Sequence, residues 1–250
     1  MDISGSTILI TGGGSGIGRG LAAAFHAGGA KVIISGRRAA ALAEVADAHP
    51  GMGTAEVDMA DGASVAELAR RIALDHPALD VLVNNAGIMV PESVAEVGPV
   101  DAVAERTIAT NLLGPILLTT ALLPTLRARP RAAIINTSSG LAFVPLAAFP
   151  TYSASKAAIH SYTQSLRAQL RGSAIDVIEL IPPYVQTTLT GEAQAGDPAA
   201  MPLDDFIAEA MAILERTPTP VEIAVTRVEF FTRAQAEQRY DVAFEALNSH

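Results

Sequence analysis

Short runs of consecutive apolar and β-branched residues recur along the 250-residue chain and alternate with longer stretches of helical periodicity. The short runs are apolar at nearly every position, which is typical of strands buried on both faces of a parallel sheet. The stretches between them predict helices that connect one strand to the next. This alternation therefore predicts an α/β fold with a single doubly wound parallel sheet and helices on both of its faces.

The predicted elements follow from these runs and from the glycines and prolines that separate them. Strands are expected at 7–11, 31–35, 53–58, 81–84, 132–136 and 176–181, and a further one near 221–226. Helices are expected at 18–27, 38–48, 64–75, 101–127, 152–171 and 203–215, and residues 234–247 also have helical spacing. No repeat or linker divides residues 1–250, which we expect to form one domain with a substrate loop or lid around 183–216.

Composition and charge exclude several classes of function. The chain is 50% hydrophobic and carries a formal net charge of −9 without a run of Lys or Arg, which argues against a nucleic-acid groove. It has no cysteine, so disulfides, thiolate metal sites and a cysteine nucleophile are excluded, and no metal site is expected. No signal-peptide core precedes the first strand, and no apolar run approaches ~18 residues, the length that suggests a membrane span. We therefore expect a cytoplasmic protein that does not enter membranes.

A glycine-rich loop follows the first predicted strand and precedes the first predicted helix. Its sequence is Gly-Gly-Gly-Ser-Gly-Ile-Gly, so bare backbone N–H groups and the positive end of a helix face one point, which favours a pyrophosphate. Arg19 and Gly20 stand where a nucleotide triphosphatase loop has Lys and Ser/Thr, which disfavours kinase or ATPase chemistry. A tight turn that needs glycine only for its dihedral angles is the alternative. The expected phosphate-binding residues are Gly12, Gly14, Ser15, Gly16, Ile17 and Gly18.

The end of the second predicted strand bears on the choice of nucleotide. It reads Ser35-Gly36-Arg37-Arg38, without the acidic residue that binds the ribose 2′-hydroxyl of NAD. The planar guanidinium of Arg37 suits a 2′-phosphate, so NADP(H) is predicted to be preferred, with NAD(H) as the alternative. The other interpretation is that Arg37 and Arg38 simply begin a solvent-exposed helix. Asp58, at the end of the third strand, either accepts a hydrogen bond from the adenine amine or caps the next helix.

Tyr152 and Lys156 are four residues apart, a spacing that stacks them on one face of a helix. A neighbouring ammonium favours the phenolate, so it is expected to lower the pKa of Tyr152 from the usual value of about 10 and make it an acid or base at neutral pH. Ser139 ends another predicted strand, where its hydroxyl can hold a substrate oxygen, and Asn111 lies within a long helix. Each residue also has an alternative interpretation. The Tyr–Lys spacing can arise by chance, with Lys156 in solvent, and Ser139 can be only a turn residue at the end of a strand. Asn111 can be a buried side chain that merely satisfies a backbone group.

Together these motifs resemble those of the short-chain dehydrogenase/reductase family along nearly the whole chain. Residues 11–18 resemble its cofactor loop, and residues 84–87, Asn-Asn-Ala-Gly, resemble its fourth-strand motif beside the cofactor's adenosine ribose. The resemblance implies a Rossmann fold and a catalytic tetrad. Residues 139–143 and the end of the chain are similar to a bacterial DltE-like subgroup of oxidoreductases in this family. The implied tetrad is Asn111, Ser139, Tyr152 and Lys156.

The resemblance also implies a reaction, the transfer of a hydride between a nicotinamide cofactor and the carbonyl carbon of a ketone or secondary alcohol. Tyr152 would give a proton to the carbonyl oxygen, which Ser139 would orient. Lys156 would bind the nicotinamide ribose and lower the pKa of Tyr152, while Asn111 would hold a water that links Lys156 to solvent. The implied cofactor contacts are Asn85, Ala86, Gly87, Tyr152, Lys156, Pro182, Val185 and Thr187.

One position departs from the family pattern. The family usually has Pro-Gly after its sixth strand, whereas this chain has Pro182-Pro183. Proline has no backbone N–H and cannot take the positive φ that glycine can. The resemblance therefore does not fix the geometry of the loop that is expected to meet the nicotinamide.

The residues expected around the substrate are mostly apolar, which predicts a small ketone or secondary alcohol with a hydrophobic body. The alternative is that several of them belong to lid or core packing. The helices at 101–127 and 152–171 resemble the family's dimerisation surface, which implies a homodimer or homotetramer. The expected substrate-pocket residues are Met89, Leu141, Phe143, Phe149, Tyr184, Leu189 and Met201.

Two further classes of function stay open beside an active carbonyl reductase or alcohol dehydrogenase. The first is a cofactor-binding sensor or regulatory protein of the same fold without turnover, against which the intact tetrad argues. The second is an epimerase or dehydratase that uses the bound nucleotide. Members of that type usually have a longer C-terminal substrate domain.

Overall fold

The protein, described by a computed structural model over residues 3–93 and 102–249, is built on one parallel sheet. Its strands are β1 (Thr7–Thr11), β2 (Lys31–Gly36), β3 (Gly53–Glu56), β4 (Leu79–Asn84), β5 (Ala132–Thr137), β6 (Ile175–Ile181) and β7 (Glu222–Ala224). They pair in the order β3-β2-β1-β4-β5-β6-β7, and every pairing is parallel. The chain moves in opposite directions across the sheet from β1 and from β4, so a crevice forms between the carboxyl ends of these two strands. The predicted doubly wound parallel sheet is confirmed.

Helices connect the strands and cover both faces of the sheet. The α-helices are α1 (Gly16–Ala27), α2 (Ala39–Ala48), α3 (Gly62–Asp75), α4 (Ala102–Ile108), α5 (Gly114–Arg127), α6 (Pro150–Gln169), α7 (Glu192–Ala195), α8 (Leu203–Leu214), α9 (Glu229–Thr232) and α10 (Tyr240–Asn248). Short 3₁₀ turns lie at Gly140–Ala142 and Thr226–Val228. Asp61 caps α3, because its side chain accepts a hydrogen bond from the Ala63 N–H.

The core consists of two apolar clusters, one on each face of the sheet. In β1, Ile8 points to the cluster that contains Phe25 of α1 and Phe206 of α8, while Leu9 points to the cluster that contains Leu118 of α5. All five side chains are essentially inaccessible to solvent. Burial of each one stabilises the fold by roughly 1.5–3 kcal/mol, so strands that are apolar on both faces hold the two helix layers together.

The segment from Ala102 to Arg127 is one long helix in which residues Ala109–Leu113 form a single π-helical turn. The sequence predicts a helix at 101–127, of which Asp101 lies outside the described residues. This helix is long and apolar enough to span a membrane, and 44% of its most apolar stretch is buried in the fold. No apolar run that approaches this length was expected from the sequence. Core helices of soluble proteins can be equally long and apolar, and here Leu118, Leu122 and Leu126 pack into the core.

The C-terminal region differs from its prediction in two places. The predicted strand at 221–226 is shorter, because β7 covers only the residues that pair with Glu179–Ile181 at the edge of the sheet. The helical spacing at 234–247 becomes helix only in α10. Gln238 has a φ of 54°, a left-handed conformation that cannot continue a helix, so residues 234–239 form turns before α10 begins.

Candidate active site

A cavity of about 870 Å³ lies at the carboxyl ends of the strands, beside the crevice between β1 and β4. Segments that follow six successive strands, β1 through β6, contribute to its walls. Its volume is at the upper end of the range that is usual for pockets that bind small molecules and cofactors. The cavity therefore has room for a large ligand that extends along the edge of the sheet.

The glycine loop between β1 and α1 forms one end of this cavity. Gly12 and Gly16 have φ values of 70° and 51°, in the left-handed region that side chains strongly disfavour. A Cβ on Gly12 would also lie 2.9 Å from Cα of Ala86. Bare backbone thus faces the cavity next to the N-terminus of α1, and this cradle fits a pyrophosphate. The loop residues that line the cavity are Gly12, Gly14, Ser15, Gly16 and Ile17.

Gly18 is predicted to bind phosphate, but it does not line the cavity. A Cβ there would lie 2.8 Å from the carbonyl carbon of Gly12 and 2.5 Å from Nδ2 of Asn85, so Gly18 lets α1 pack directly under the loop. Thr11 joins this support, since its hydroxyl accepts hydrogen bonds from the backbone N–H groups of Asn85 and Ala86. The predicted cofactor contacts Asn85, Ala86 and Gly87 all line the cavity.

Two arginines and one aspartate surround the cavity on the side of β2 and β3. Arg37 and Arg38 are both exposed at the cavity wall, and Arg38 donates a hydrogen bond to the Ser15 hydroxyl at 3.1 Å. Asp58 lines the same region, accepts a hydrogen bond from the Ala60 N–H and pairs with Arg106 at 3.2 Å. Asp58 was predicted either to contact the adenine or to cap the next helix. The second prediction is wrong, because Asp61 is the residue that caps α3. The guanidinium groups leave this end of the cavity positively charged.

Ser139, Tyr152 and Lys156 converge at the other end of the cavity. Tyr152 and Lys156 project from one face of α6, with Nζ of Lys156 at 5.6 Å from the centre of the Tyr152 ring. Ser139 follows β5, and its hydroxyl hydrogen-bonds with Tyr152 and accepts from the Leu141 N–H at 3.1 Å. Nζ of Lys156 donates to the Thr137 carbonyl oxygen at 2.8 Å. A hydroxyl, a phenol and an ammonium group therefore meet at one point of the cavity wall.

Burial changes the pKa values of both Tyr152 and Lys156. Tyr152 and Lys156 are only 7% and 4% exposed. Burial raises the pKa of Tyr152 to about 12, against the opposing effect of its hydrogen bond with Ser139. Burial lowers the pKa of Lys156 to about 8, against the attraction of the Glu179 carboxylate. The predicted lowering of the Tyr152 pKa is therefore wrong, because loss of solvent has the largest effect on this phenol.

Asn111 lies in the π-helical turn, beneath the cavity wall. Its Oδ1 accepts from the Ile88 N–H at 2.9 Å, and its Nδ2 donates to the Ile88 carbonyl at 2.9 Å and to the Ser155 hydroxyl at 3.1 Å. The side-chain amide thus satisfies backbone groups of the segment after β4, which was the alternative interpretation of this residue. A water held by Asn111 stays a prediction, and the side chain's own bonds are already made.

Apolar side chains surround the opening beside Tyr152. Phe143 does not line this cavity, because its ring packs edge-to-face against His160 at 4.7 Å and joins the core. Met201 does not line it either, since it pairs with Val185 through a β-bridge and is buried in the same core cluster. The predicted substrate residues that do line the cavity are Met89, Leu141, Phe149, Tyr184 and Leu189.

The Pro182-Pro183 turn brings the segment after β6 over the cavity. The Pro182 carbonyl accepts a hydrogen bond from the Gly140 N–H at 3.0 Å, which ties the turn to the residue after Ser139. From the predicted lid, side chains as far as Ala199 line the cavity, whereas α8 packs against α1 in the core. Pro182, Pro183, Val185 and Thr187 all line the cavity.

Sequence reasoning missed two polar residues of this region. Gln194 is buried, and its side chain donates to the Val185 carbonyl at 2.8 Å and to the Thr187 hydroxyl at 3.1 Å, so it fixes the loop after β6. Arg227 lines the cavity and donates to the Ala199 carbonyl. No motif marks either residue, because both act through contacts with the loop. Within residues 3–93 and 102–249, no three His, Asp or Glu side chains are grouped to hold a metal ion.

A model of the family described as short chain dehydrogenase matches residues 6–198, more than three quarters of the chain. The chain belongs to this family. Members of the short-chain dehydrogenase family are oxidoreductases that use a nicotinamide cofactor and act on small-molecule substrates. The protein is therefore an oxidoreductase of this kind. The family also fits the geometry, since the glycine loop and the Ser139–Tyr152–Lys156 group occupy the two ends of one cavity.

Individual relatives place the chain more closely within the short-chain dehydrogenases. It is 40% identical over 194 residues to the uncharacterized oxidoreductase DltE of Bacillus subtilis, with 78% of this chain and 77% of that protein covered. It is 34% identical over 205 residues to dehydrogenase/reductase SDR family member 7B of Bos taurus, covering 78% of this chain and 62% of that protein. The predicted similarity to DltE-like oxidoreductases is confirmed.

A solved structure supports the same assignment of fold. The short chain dehydrogenase of Burkholderia cenocepacia, solved in complex with NADP, superimposes with a TM-score of 0.82 at 27% sequence identity. The match covers 99% of both chains. The sheet and its surrounding helices are therefore those of a short-chain dehydrogenase over nearly the whole length.

Proposed function

We propose that the protein is an NADP(H)-preferring oxidoreductase that interconverts a ketone and a secondary alcohol, with Tyr152 as the general acid and base. The main support for this proposal is that two candidate sites, one for a cofactor and one for the reaction, lie in the same cavity. A glycine cradle for a pyrophosphate lies at one end, and a buried Ser139–Tyr152–Lys156 group lies at the other. A bound nicotinamide dinucleotide would supply or accept the hydride.

The chain's own residues fit such a dinucleotide. The backbone of Gly12 to Ile17 would hold the pyrophosphate, since any side chain at Gly12 would collide with Ala86. The ammonium of Lys156 would bind the hydroxyls of the nicotinamide ribose. Val185 and Thr187, both at the cavity wall and both fixed by Gln194, would bind the carboxamide.

In the reductive direction Tyr152 would donate its proton to the carbonyl oxygen of the substrate. A phenol with a pKa of about 12 is fully protonated at neutral pH, so it is ready to act as an acid. The Ser139 hydroxyl, already in a hydrogen bond with Tyr152, would orient the same carbonyl oxygen. In the oxidative direction Tyr152 must act as a base, and the Lys156 ammonium would stabilise its phenolate.

The apolar wall beside Tyr152 supports a substrate with a hydrophobic body. Met89, Leu141, Phe149 and Leu189 face the cavity there, and an apolar ligand would replace water on these surfaces. We therefore expect the substrate to be a small molecule. We also expect the enzyme to work in the cytoplasm as a homodimer or homotetramer.

Replacement of Tyr152 by Phe tests the chemical assignment. Removal of the phenolic proton is expected to lower kcat by about 10²–10⁴-fold, the usual contribution of a general acid. Binding of NADPH, measured by fluorescence titration, should stay nearly unchanged because Phe preserves the ring. Turnover that survives in Tyr152→Phe would overturn the role of Tyr152.

Replacement of Arg37 by Asp tests the nucleotide preference. Loss of the guanidinium and gain of a carboxylate should favour a ribose 2′-hydroxyl over a 2′-phosphate, so the ratio of kcat/KM for NADPH to that for NADH should fall below one. Arg171→Asp, which changes the net charge equally at an exposed position after α6, is the matched control. An unchanged ratio in Arg37→Asp would show that Arg37 does not bind the phosphate.

The sensor interpretation predicts a different result from the same protein. A panel of ketones with NADPH, and of secondary alcohols with NADP⁺, followed by absorbance of the reduced nicotinamide, is expected to find at least one apolar substrate. Tight NADPH binding without turnover across a broad panel would favour a regulatory protein of this fold.

A further inference from the structure

A glutamate is buried behind the reaction site, in a strand whose other buried residues are all apolar. Glu179 lies in β6 and is 0% exposed, although its neighbours Ile178 and Leu180 are core residues. An ionised carboxylate at such a position costs several kcal/mol of desolvation unless other groups pair with it. Its partners therefore indicate why the fold places it there.

Both partners of Glu179 belong to segments that carry reaction-site residues. Ser138, directly before Ser139, donates its hydroxyl to Oε1 of Glu179. His160, one helical turn after Lys156 on α6, has its Nδ1 at 2.9 Å from both carboxylate oxygens. The carboxylate thus joins the end of β5 to the face of α6.

The third group near Glu179 is the ammonium of Lys156. The carboxylate raises the pKa of Lys156, against burial that lowers the same pKa. Among the described residues, Glu179 is the one charged side chain that acts on Lys156, and the Thr137 carbonyl is its one hydrogen-bond acceptor. A buried cation requires an opposing charge to stay ionised.

We propose that Glu179 is a positioning residue of the reaction site, which supplies the buried negative charge opposite Lys156 and anchors the strand end that carries Ser139. The proposal rests on the proposed function for its catalytic meaning, since Lys156 must keep its charge to hold ribose hydroxyls and to stabilise a phenolate. His160 and Ser138 keep the carboxylate in place by hydrogen bonds. No motif of the sequence analysis includes Glu179 or His160.

Other charged groups around this pair define the controls. Glu222 of β7, the register partner of Glu179, also raises the pKa of His160, while Arg167 on α6 lowers it. Glu222 is exposed and does not act on Lys156. The same Glu→Gln change at position 222 therefore removes a nearby charge without removing the charge opposite Lys156.

The charge of Lys156 can be measured directly because the chain has only two lysines, Lys31 and Lys156. In protein labelled with ¹³C at lysine Cε, a pH titration by NMR gives two curves, and a Lys31→Arg sample assigns them. We expect Lys156 to titrate near 8, as its pKa of about 8 indicates. Glu179→Gln should lower the Lys156 midpoint by about one pH unit. Glu222→Gln should leave it unchanged.

A second variant separates charge from packing. His160→Gln keeps a hydrogen-bond donor beside Glu179 but removes the imidazole, which competes for the carboxylate charge when it is protonated, so the Lys156 midpoint should stay equal or rise. A fall in His160→Gln equal to that in Glu179→Gln would overturn the proposal, because both would then report disturbed packing. An unchanged midpoint in Glu179→Gln would overturn it as well.

The kinetic test uses the pH profile of ketone reduction. Loss of the Lys156 charge sets an alkaline limit on kcat/KM, and Glu179→Gln should move this limit about one pH unit towards acid. A merely structural role would lower kcat/KM at every pH without moving the limit, and would overturn the proposal. The NMR titration requires no turnover, so an absence of activity would contradict the proposed function while the role of Glu179 is still measured.

Discussion

Lys156 carries its charge at a position where only 4% of the residue is exposed, and this arrangement costs stability. Its pKa is lowered from 10.5 to about 8 by burial, so the folded protein loses this proton more readily than the unfolded chain does. Between pH 8 and 10.5 the unfolded state binds more protons, and stability therefore rises with pH across this window. Burial thus shifts Lys156 towards its neutral form, whereas its proposed roles in binding and catalysis require the charge.

This cost predicts the pH dependence of a Lys156→Met variant. Met keeps a similar shape but has no proton to lose, so the stability difference between wild type and variant isolates Lys156. Between pH 7 and 10, we expect the free energy of unfolding of the wild type to rise by about 2–3 kcal/mol relative to that of the variant. Urea unfolding of the two proteins at both pH values measures the difference. A difference that does not change with pH would contradict the lowered pKa of Lys156.

Gly18 has no contact with the cavity, yet it is expected to be the most sensitive position of the glycine loop. Gly18→Ala would force a Cβ against the Gly12 carbonyl and Asn85, which should lower the free energy of unfolding by about 1–3 kcal/mol. Gly14→Ala is the control, because its Cβ would lie 3.4 Å from Cβ of Ala41, an ordinary contact. Thermal unfolding of both variants checks this order. Equal losses would show that the helix under the loop can shift.

At the scale of elements, a buried chain of polar side chains ties β4 and β5 to the helices behind them. Asn136 is fully buried, accepts a hydrogen bond from Nδ2 of Asn84 at 2.8 Å and donates one to the Thr163 hydroxyl at 2.9 Å. Asn84 also donates to Thr119 of α5 at 2.9 Å. Because Thr163 lies on α6, these bonds join the helix of Tyr152 to the centre of the sheet.

Asn136→Ala breaks two of these bonds and leaves their partners without a replacement. We expect it to lower the free energy of unfolding by about 2–4 kcal/mol, since each unpaired buried polar group costs roughly 1–3 kcal/mol. Thr120→Ala, at an exposed position of α5 where the hydroxyl bonds only to its own helix, should change it by less than about 0.5 kcal/mol. Chemical unfolding measures both. A loss below that of Thr120→Ala would show that water replaces the network.

The sequence predicts elements best where a pattern is local. The run at 7–11 is bounded by glycines, and it becomes β1 with the same ends. The π-helical turn in the helix at 102–127 was not predictable, because it places Asn111 against Ile88 and Ser155, which are distant in sequence. Phe143 and Phe149 look equivalent in sequence, and only their packing separates a core ring from a cavity wall. Local patterns therefore predicted several of the residues that line the cavity, while burial and its effect on the pKa of Tyr152 required the fold.

On the surface of the whole molecule, the described residues include two exposed leucines that lie close together on one helix. Leu113 and Leu117 are 50% and 47% exposed, and they lie one helical turn apart at the junction of the π-helical turn and α5. This helix belongs to the segment that the family resemblance assigns to the dimerisation surface. Burial of both side chains against a second copy would remove apolar area from water, which favours association.

The double variant Leu113→Glu with Leu117→Glu tests this surface. Two carboxylates in an apolar interface would lose their solvent without a partner, so the assembly should dissociate to a smaller species. Sedimentation equilibrium gives the mass of wild type, expected to be a dimer or tetramer, and of the variant. Leu74→Glu, on α3 and 65% exposed, is the matched control and should keep the wild-type mass. If the double variant also keeps that mass, with its circular dichroism unchanged, the copies must meet on another face.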